Sequence, residues 1–388
     1  MKLEHQLRAF DQILAAYDGL MPLHRFLPVY YRKNKQMGSS DRRWATRYIY
    51  SFFRLGKSLR YLAVHERLAV ADFLCHCDLS LVVEGNLPAL IDKCSLPLDE
   101  KLAIIASQYA DFDLSDVFPF NAKLSESLAA NAFYSSFFVQ PKLFIRVRES
   151  DKTGVLNRLE TGEIAFEQIT STTLAFLNGT KLDHVLEAGT YQVQDFSSQQ
   201  TGLYFKPVKH DKWWDCCAAS GGKSLLLHSL EQEIDLLVSD LRPQVLENLE
   251  TRFRLAGLKK YQRKELDLLV NNAQILHHYQ FDGIIVDAPC TGSGTWGRTP
   301  EMLSFFDENK IAQYAKIQKS ILTNVSKYLK PGKPLIYITC SAFAEENEQI
   351  VTYCVNNLSL KLERMELMKG YEQAADTMFV ARFIGEEQ

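Results

Sequence analysis

From about Lys212 onward, short apolar runs alternate with longer helical patterns, and this rhythm limits the possible folds more than any other feature of the sequence. The runs are Trp213–Cys217, Ile234–Ser239, Phe281–Val286, Pro334–Thr339 and Phe379–Ile384. Between them lie helical patterns at Lys223–Leu230, Pro243–Ala256, Asn309–Leu329 and Glu345–Asn356. Strands joined through helices pair in parallel, so the expected α/β architecture is a doubly wound, mostly parallel sheet. In such a sheet a ligand sits at the carboxyl ends of the strands, where Asp240, Asp287 and Cys340 follow three of the runs.

The preceding sequence follows other periods. Leu3, Leu7, Phe10, Leu14 and Tyr17 recur at three- and four-residue steps, which predicts an amphipathic helix. Ser39-Ser40-Asp41 offers N-caps to a second helix through Arg54, on which Arg43, Arg47 and Arg54 form a basic stripe. Helical signals continue to about residue 138. At Gln140-Pro141 the pattern changes to a short strand, Leu143–Arg148, then a helix, Ser150–Leu159, and further strand-and-turn signals. The expected organisation is an all-α domain at 1–138, a small α/β subdomain at 139–200 and the doubly wound domain at 201–388.

Bulk properties narrow the class. Hydrophobic residues make up 46% and charged residues 23%, as expected of a soluble globular chain of 388 residues with two or three domains. No stretch approaches the ~18–20 apolar residues of a membrane span, and the first residues lack a secretory pattern, so a cytoplasmic location is expected. Eight scattered cysteines argue against a disulfide framework. Cys75-His76-Cys77 lacks the second, more widely spaced ligand pair of a zinc site, and no metal is expected. The net charge of −3 hides an asymmetry, because residues 1–60 carry 12 basic against 4 acidic side chains. Such a segment is either a phosphate footprint or a solvated face, and charge alone does not choose.

Four strand-end features carry chemistry. In Asp215-Cys216-Cys217-Ala218-Ala219-Ser220-Gly221-Gly222-Lys223, small residues between strand and helix allow close backbone approach to a nucleotide-like ligand. Asp240 ends the next strand, where a carboxylate accepts from ribose hydroxyls. A tight turn and an ordinary capping aspartate would look the same, and NAD would fit as well. Asp287-Ala288-Pro289-Cys290-Thr291-Gly292-Ser293-Gly294-Thr295-Trp296 joins an aspartate, a fixed turn, a thiol and a glycine-rich loop. Thr339-Cys340-Ser341 adds a second strand-end thiol, followed by Glu345-Glu346-Asn347-Glu348. A single such cysteine is usually packing. Two at cofactor-facing ends are harder to explain that way.

Taken together, these motifs resemble the NSUN-like (Sun/Fmu) RNA cytosine-5 methyltransferases, in particular the bacterial small-subunit rRNA type. Val193-Gln194-Asp195 with Ser198-Gln199 and Pro141 to Val147 extend the resemblance backwards. Met37–Trp44 is similar to an RNA-binding domain like that of the antitermination factor NusB. The resemblance implies a Rossmann-like methyltransferase domain with S-adenosylmethionine as cofactor and RNA, of the small ribosomal subunit, as partner. Implied cofactor contacts are Cys217, Ala218, Ala219, Ser220, Gly221, Gly222, Lys223, Asp240, Asp267 and Asp287. Asp267 is the least clear of these, because its strand is hard to locate within Tyr261–Val270. Cys340 is implied as nucleophile, Cys290 as the thiol that assists release, and Asp287 as a group facing the base. Arg43, Arg47, Arg54 and Arg298 are the expected RNA contacts, and the expected state is a monomer. Ser220, Gly297 and Arg148 depart from the family's usual proline, arginine and asparagine.

Alternatives remain at this stage. A dehydrogenase would explain the glycine loop and Asp240 but leaves both thiols idle. A DNA cytosine methyltransferase would use the Pro-Cys thiol, yet its Glu-Asn-Val segment is missing. A non-catalytic RNA-binding protein would need neither thiol.

Overall fold

The computed structural model describes residues 3–120 and 123–386. They form two compact units, each made of several chain segments. The first comprises Met1–Ala122, Ala129–Gln140 and Thr295–Glu308; the second comprises Lys123–Leu128, Pro141–Gly294 and Asn309–Gln388. Among the described residues no helix is long and apolar enough to cross a membrane.

The first unit is helical: α1 (Leu3–Ala16), α2 (Leu23–Lys33), α3 (Ser39–Arg54), α4 (Val64–Cys75), α5 (Leu81–Asn86), α6 (Leu98–Gln108) and α7 (Ala130–Ser136). Of the stripe expected on α1, Phe10 and Tyr17 are buried while Leu3, Leu7 and Leu14 are only half-buried; the core face is shifted to Ala9, Phe10 and Ile13, and Phe10 meets Phe52 of α3 edge-on at 5.4 Å. α3 starts differently from the sequence expectation. Gly38 is the cap, and its N–H donates to the Asp41 carboxylate one turn inside, at 3.0 Å. Cys75 closes α4, and burial pushes its thiol up to about 12.

The second unit holds two sheets. Strands β1 (Leu143–Val147), β2 (Glu167–Gln168), β3 (Thr173–Phe176) and β4 (Tyr191–Val193) form a small antiparallel sheet in the order β2-β3-β1-β4. α8 (Lys152–Thr161) packs Val155 and Leu159 on it, and α9 (Phe196–Gln200) follows.

The large sheet is built from β5 (Lys212–Asp215), β6 (Asp235–Asp240), β7 (Gln262–Glu265), β8 (Gly283–Asp287), β9 (Pro334–Thr339), β10 (Leu360–Met368) and β11 (Met378–Gly385). Its order is β10-β11-β9-β8-β5-β6-β7. β7, β6, β5, β8 and β9 run parallel, as the strand–helix rhythm predicts. β11 is antiparallel and lies between β9 and β10. Helices α10 (Gly222–Leu230), α11 (Pro243–Leu255), α12 (Ala273–Leu276), α14 (Asn309–Val325) and α15 (Glu348–Asn357) connect these strands, while α13 (Met302–Phe305) belongs to the first unit. The core beneath α10 and α11 joins Trp213, Leu226, Leu249, Phe253, Ile285 and Ile336.

Candidate active site

The loop from β5 to α10 is shaped by backbone conformations that only small residues tolerate well. Ala219 and Gly221 are left-handed, with φ of 45° and 80°. A Cβ on Gly221 would stand 2.4 Å from the Phe253 ring, so the close packing of α11 requires glycine there. The loop is pinned to the next strand: the Ala218 amide donates to the Ser239 carbonyl at 2.9 Å and the Ala219 amide to the Asp240 carboxylate at 3.1 Å. Arg242 also donates to Asp240, through its backbone and side chain, both at 3.0 Å. Burial alone would raise the Asp240 carboxyl, but these hydrogen bonds outweigh it and hold it below the ordinary aspartate range.

β8 and β9 deliver the two thiols. Asp287 ends β8, and its carboxylate is held by Lys223 at 2.9 Å; Lys223 also donates to the Ser198 hydroxyl at 2.9 Å. Three residues on, the Cys290 sulfur lies 3.3 Å from the sulfur of Cys340, which directly follows β9. The hydrogen bond to Cys340, then burial, push the Cys290 thiol well up, with the nearby Glu346 charge adding to both. Cys290 is therefore held protonated, the poorer state for nucleophilic attack.

Both thiol loops hang on one buried carboxylate. Glu346 accepts from the Thr291 amide (2.9 Å), the Thr291 hydroxyl (2.5 Å), the Gln318 amide (2.9 Å) and the Ser341 hydroxyl. Burial still raises its carboxyl above the usual glutamate range. Asn347 adds a second tie, accepting from the Thr339 hydroxyl at 2.6 Å and donating to the Ser341 carbonyl at 2.9 Å. Gly294 donates to the Cys340 carbonyl at 2.9 Å, and a Cβ there would meet the Thr377 carbonyl at 2.1 Å.

These strand ends surround a cavity of about 600 Å³. Of the residues expected from the sequence, Cys217, Ala219, Asp240, Asp267, Asp287, Cys290 and Cys340 line it together. The remaining loop residues do not. Ala218 is buried, Ser220 is exposed and accepts from Arg252, Gly221 packs on Phe253, Gly222 opens α10, and Lys223 acts through Asp287. Sequence reasoning missed the apolar walls, Leu266, Leu268 and Leu269 beside Asp267 and Tyr314, Ile317 and Ile321 on α14. The last three are spaced three and four residues apart, a helical face that the sequence does carry.

The basic stripe requires correction. Arg43 is exposed. Arg47 is paired with Asp72 of α4 at 2.8 Å and with Asp78 at 2.6 Å. Arg54 is only 3% exposed and donates to the Phe137 carbonyl at 2.5 Å, the Gln140 side chain at 2.9 Å and the Gly297 carbonyl at 3.0 Å. Arg47 and Arg54 spend their donors inside the helical unit, and the three arginines form no common phosphate-facing surface. Arg298 is half-buried on the turn after Trp296, within the first unit.

Comparison with known proteins bears on this arrangement. Residues 202–387 match the family described as 16S rRNA methyltransferase RsmB/F. The ribosomal RNA small subunit methyltransferase B of Shewanella oneidensis is 31% identical over 189 residues, which cover 46% of this chain and 41% of that one. The chain thus spans about two-fifths of the length of this curated relative. Among solved structures, the protein PH0851 superposes with a TM-score of 0.68 at 21% identity, over 92% of this chain and 93% of that one. A methyltransferase homologue from Pyrococcus horikoshii gives a TM-score of 0.57 at 19% identity, over 68% and 92%. At these identities the likeness is one of fold, and the fold is the Rossmann-like one of methyltransferases.

Proposed function

We propose, for a chain whose residues 202–387 belong to the RsmB/F methyltransferase family, that the molecule methylates carbon 5 of a cytosine in RNA, with small-subunit ribosomal RNA as the substrate class. Cys340 is the nucleophile and S-adenosylmethionine the methyl donor, and the cytoplasm is the compartment that goes with this reading. The observation that carries it is the pair of thiols 3.3 Å apart on the wall of a cavity that also holds Asp240, Asp267 and Asp287. Hydride transfer to a nicotinamide has no use for such a pair, and a protein that only binds RNA has no use for either thiol.

The residues present fit the donor. Asp240 is a strand-end carboxylate for ribose hydroxyls, and Leu266, Leu268, Ile317 and Ile321 offer an apolar slot for a purine. When bound there, S-adenosylmethionine supplies an electrophilic methyl group. The side chain of Arg242, 61% exposed, is the present partner of Asp240 and is free to turn to solvent.

The chain's own groups account for the remaining chemistry. Carbon 5 of cytosine is a poor nucleophile until a thiolate adds at carbon 6, which makes carbon 5 enamine-like. Cys340 forms that bond. Asp287, oriented by Lys223, meets the base near N3, where charge shifts as the adduct forms. After methylation the carbon-5 proton passes to water, its bonding electrons restore the ring double bond, and the Cys340 sulfur departs with the electron pair of the carbon–sulfur bond. Cys290 stands where it can exchange a proton with that sulfur during release. The target base must leave its stack to enter the cavity, which favours single-stranded or opened RNA.

A denaturing gel of the two single variants and the double variant, incubated with labelled RNA and S-adenosylmethionine, tests the assignment. Cys340→Ala should give neither methylation nor a covalent adduct. Cys290→Ala should attack and methylate but fail to release, leaving an adduct that vanishes when Cys340 is also changed. An adduct from Cys340→Ala would overturn the assignment in favour of the DNA-type mechanism. No adduct in any variant, with lost stability, would reduce both thiols to packing.

A further inference from the structure

Between the small sheet, the end of α10 and the turn after α11 lies a second cavity of about 150 Å³, lined in part by Arg146, Arg148, Gln192, His228 and Ser229. Its volume far exceeds the ~10–15 Å³ that a single water needs. The chemistry of its walls is one-sided. Arg146 is 8% exposed, and donates to the Gln194 side chain at 3.1 Å and the Ser229 hydroxyl at 2.8 Å, both neutral. Its cationic neighbour Arg252 donates to Ser220 and Gln192, again neutral. Neither guanidinium has a carboxylate partner among the described residues. Arg148 is paired with Asp151 at 2.6 Å and also reaches the Ala256 carbonyl. The buried Nδ1 of His228 has no hydrogen-bond partner.

Two guanidinium groups, Arg146 and Arg148, and an imidazole thus line a solvent-sized space, with Arg252 beside Arg146 and Asp151, the partner of Arg148, as the one carboxylate paired with any of them. Buried charges are normally paired, because the loss of hydration is otherwise uncompensated. The Ala256 carbonyl at the end of α11 offers only a partial charge, and to Arg148 alone. A tetrahedral oxyanion suits the planar donor fork of arginine. We propose that this cavity is a phosphate-binding site, and that the phosphate it takes belongs to a polynucleotide backbone.

The second half of the proposal follows from what Arg146 is joined to. Gln194, which accepts from Arg146, donates to the Ser198 hydroxyl at 3.2 Å. Ser198 accepts from Lys223, and Lys223 holds Asp287 in the thiol cavity. One continuous set of side chains therefore fixes the cationic cavity relative to the strand ends where a base would enter. This polynucleotide half rests on the RNA-methylation reading; the phosphate half does not.

Two titrations of the full chain test the proposal, with Arg146→Gln, Arg148→Ala and Arg252→Gln prepared separately. Arg148 and Arg252 are partly exposed, so their variants remain informative if Arg146→Gln fails to fold. In the first, fluorescence anisotropy follows a labelled single-stranded RNA over a range of salt concentrations. Each folded variant should bind at least about five-fold more weakly at low salt, with the slope of log K against log salt smaller by about 0.7 for a lost phosphate contact. In the second, calorimetry follows inorganic phosphate. Phosphate binding that the variants lose, with unchanged RNA binding, would keep the site and overturn its polynucleotide source. Folded variants that match the wild type in both titrations would overturn the site. S-adenosylmethionine binding and methyl transfer by the wild type, measured alongside, show separately whether the RNA-methylation reading itself has failed.

Discussion

Asp215 ends β5 beneath the loop that leads to α10, fully buried, and its ionisation should shape the stability of the second unit. One carboxyl oxygen accepts from the Ser224 hydroxyl at 2.6 Å, and the other has no hydrogen-bond partner. Burial pushes the carboxyl from 3.8 up to about 7; the Ser224 hydrogen bond opposes this and the Asp287 charge adds to it. The folded chain therefore keeps a proton that the unfolded chain releases above its ordinary value. Between about pH 4 and pH 7 the native state binds more protons, so stability falls as pH rises through this window. At about 1.36 kcal/mol per pH unit, the interval from 3.8 to about 7 sets an upper limit of about 4 kcal/mol lost by neutral pH. Asp215→Asn cannot ionise and is free of this loss, whatever its constant cost in packing. Urea unfolding of both proteins at about pH 4.5 and about pH 8 isolates the effect, because other titrating groups cancel in the difference. The gap should move by roughly 2–4 kcal/mol in favour of Asp215→Asn as pH rises. A gap constant within about 0.5 kcal/mol would refute the reasoning.

Three further outcomes follow from the site and its correction. Glu346→Ala leaves three donors of the thiol loops and the Gln318 amide of α14 without their acceptor and should cost roughly 3–5 kcal/mol in urea unfolding; a wild-type midpoint would mean that the loops are held by other contacts. Asp240→Ala should weaken S-adenosylmethionine binding by roughly 1–3 kcal/mol in calorimetric titration, and unchanged affinity would remove the ribose acceptor from the proposal. Arg54→Ala should destabilise by roughly 3 kcal/mol or more, while Arg43→Ala should stay within about 0.5 kcal/mol, and equal melting temperatures would contradict the burial of Arg54.

The sequence makes β5, β6, β8, β9 and β11 legible because most residues in them are buried, which leaves predominantly apolar runs. β7 and β10 occupy the two edges of the sheet, where neighbours cover them less. The four residues of β7, Gln262–Glu265, are all polar, and β10 is exposed along its middle, so neither produces such a run. The two thiols, Asp240 and Asp287 are legible for a related reason, since strand ends in a parallel sheet converge wherever the strands do, whereas Asp267 follows the all-polar β7 and is indicated only by the resemblance. The arginine stripe shows where that legibility stops. Helical projection puts Arg43, Arg47 and Arg54 on one side of α3, but their fates depend on Asp72, Asp78 and the carbonyls near Phe137, which no local period encodes. Glu346 is hidden for the same reason, because its partners come from the loop after β8, from α14 and from the turn after β9.

The position of β11 has a consequence for biosynthesis. The ribosome makes β9, then β10, then β11, whereas the sheet orders them β9, β11, β10. β10 therefore emerges with no neighbour to pair with, and the edge of β9 stays open until Met378–Gly385 has been translated. For that interval the nascent chain exposes an apolar strand edge of the kind that recruits other chains. Cys340, which directly follows β9, has that strand flanked on both sides only after the Phe379–Thr339 pairing closes, so the surroundings of this thiol are completed only when β11 docks.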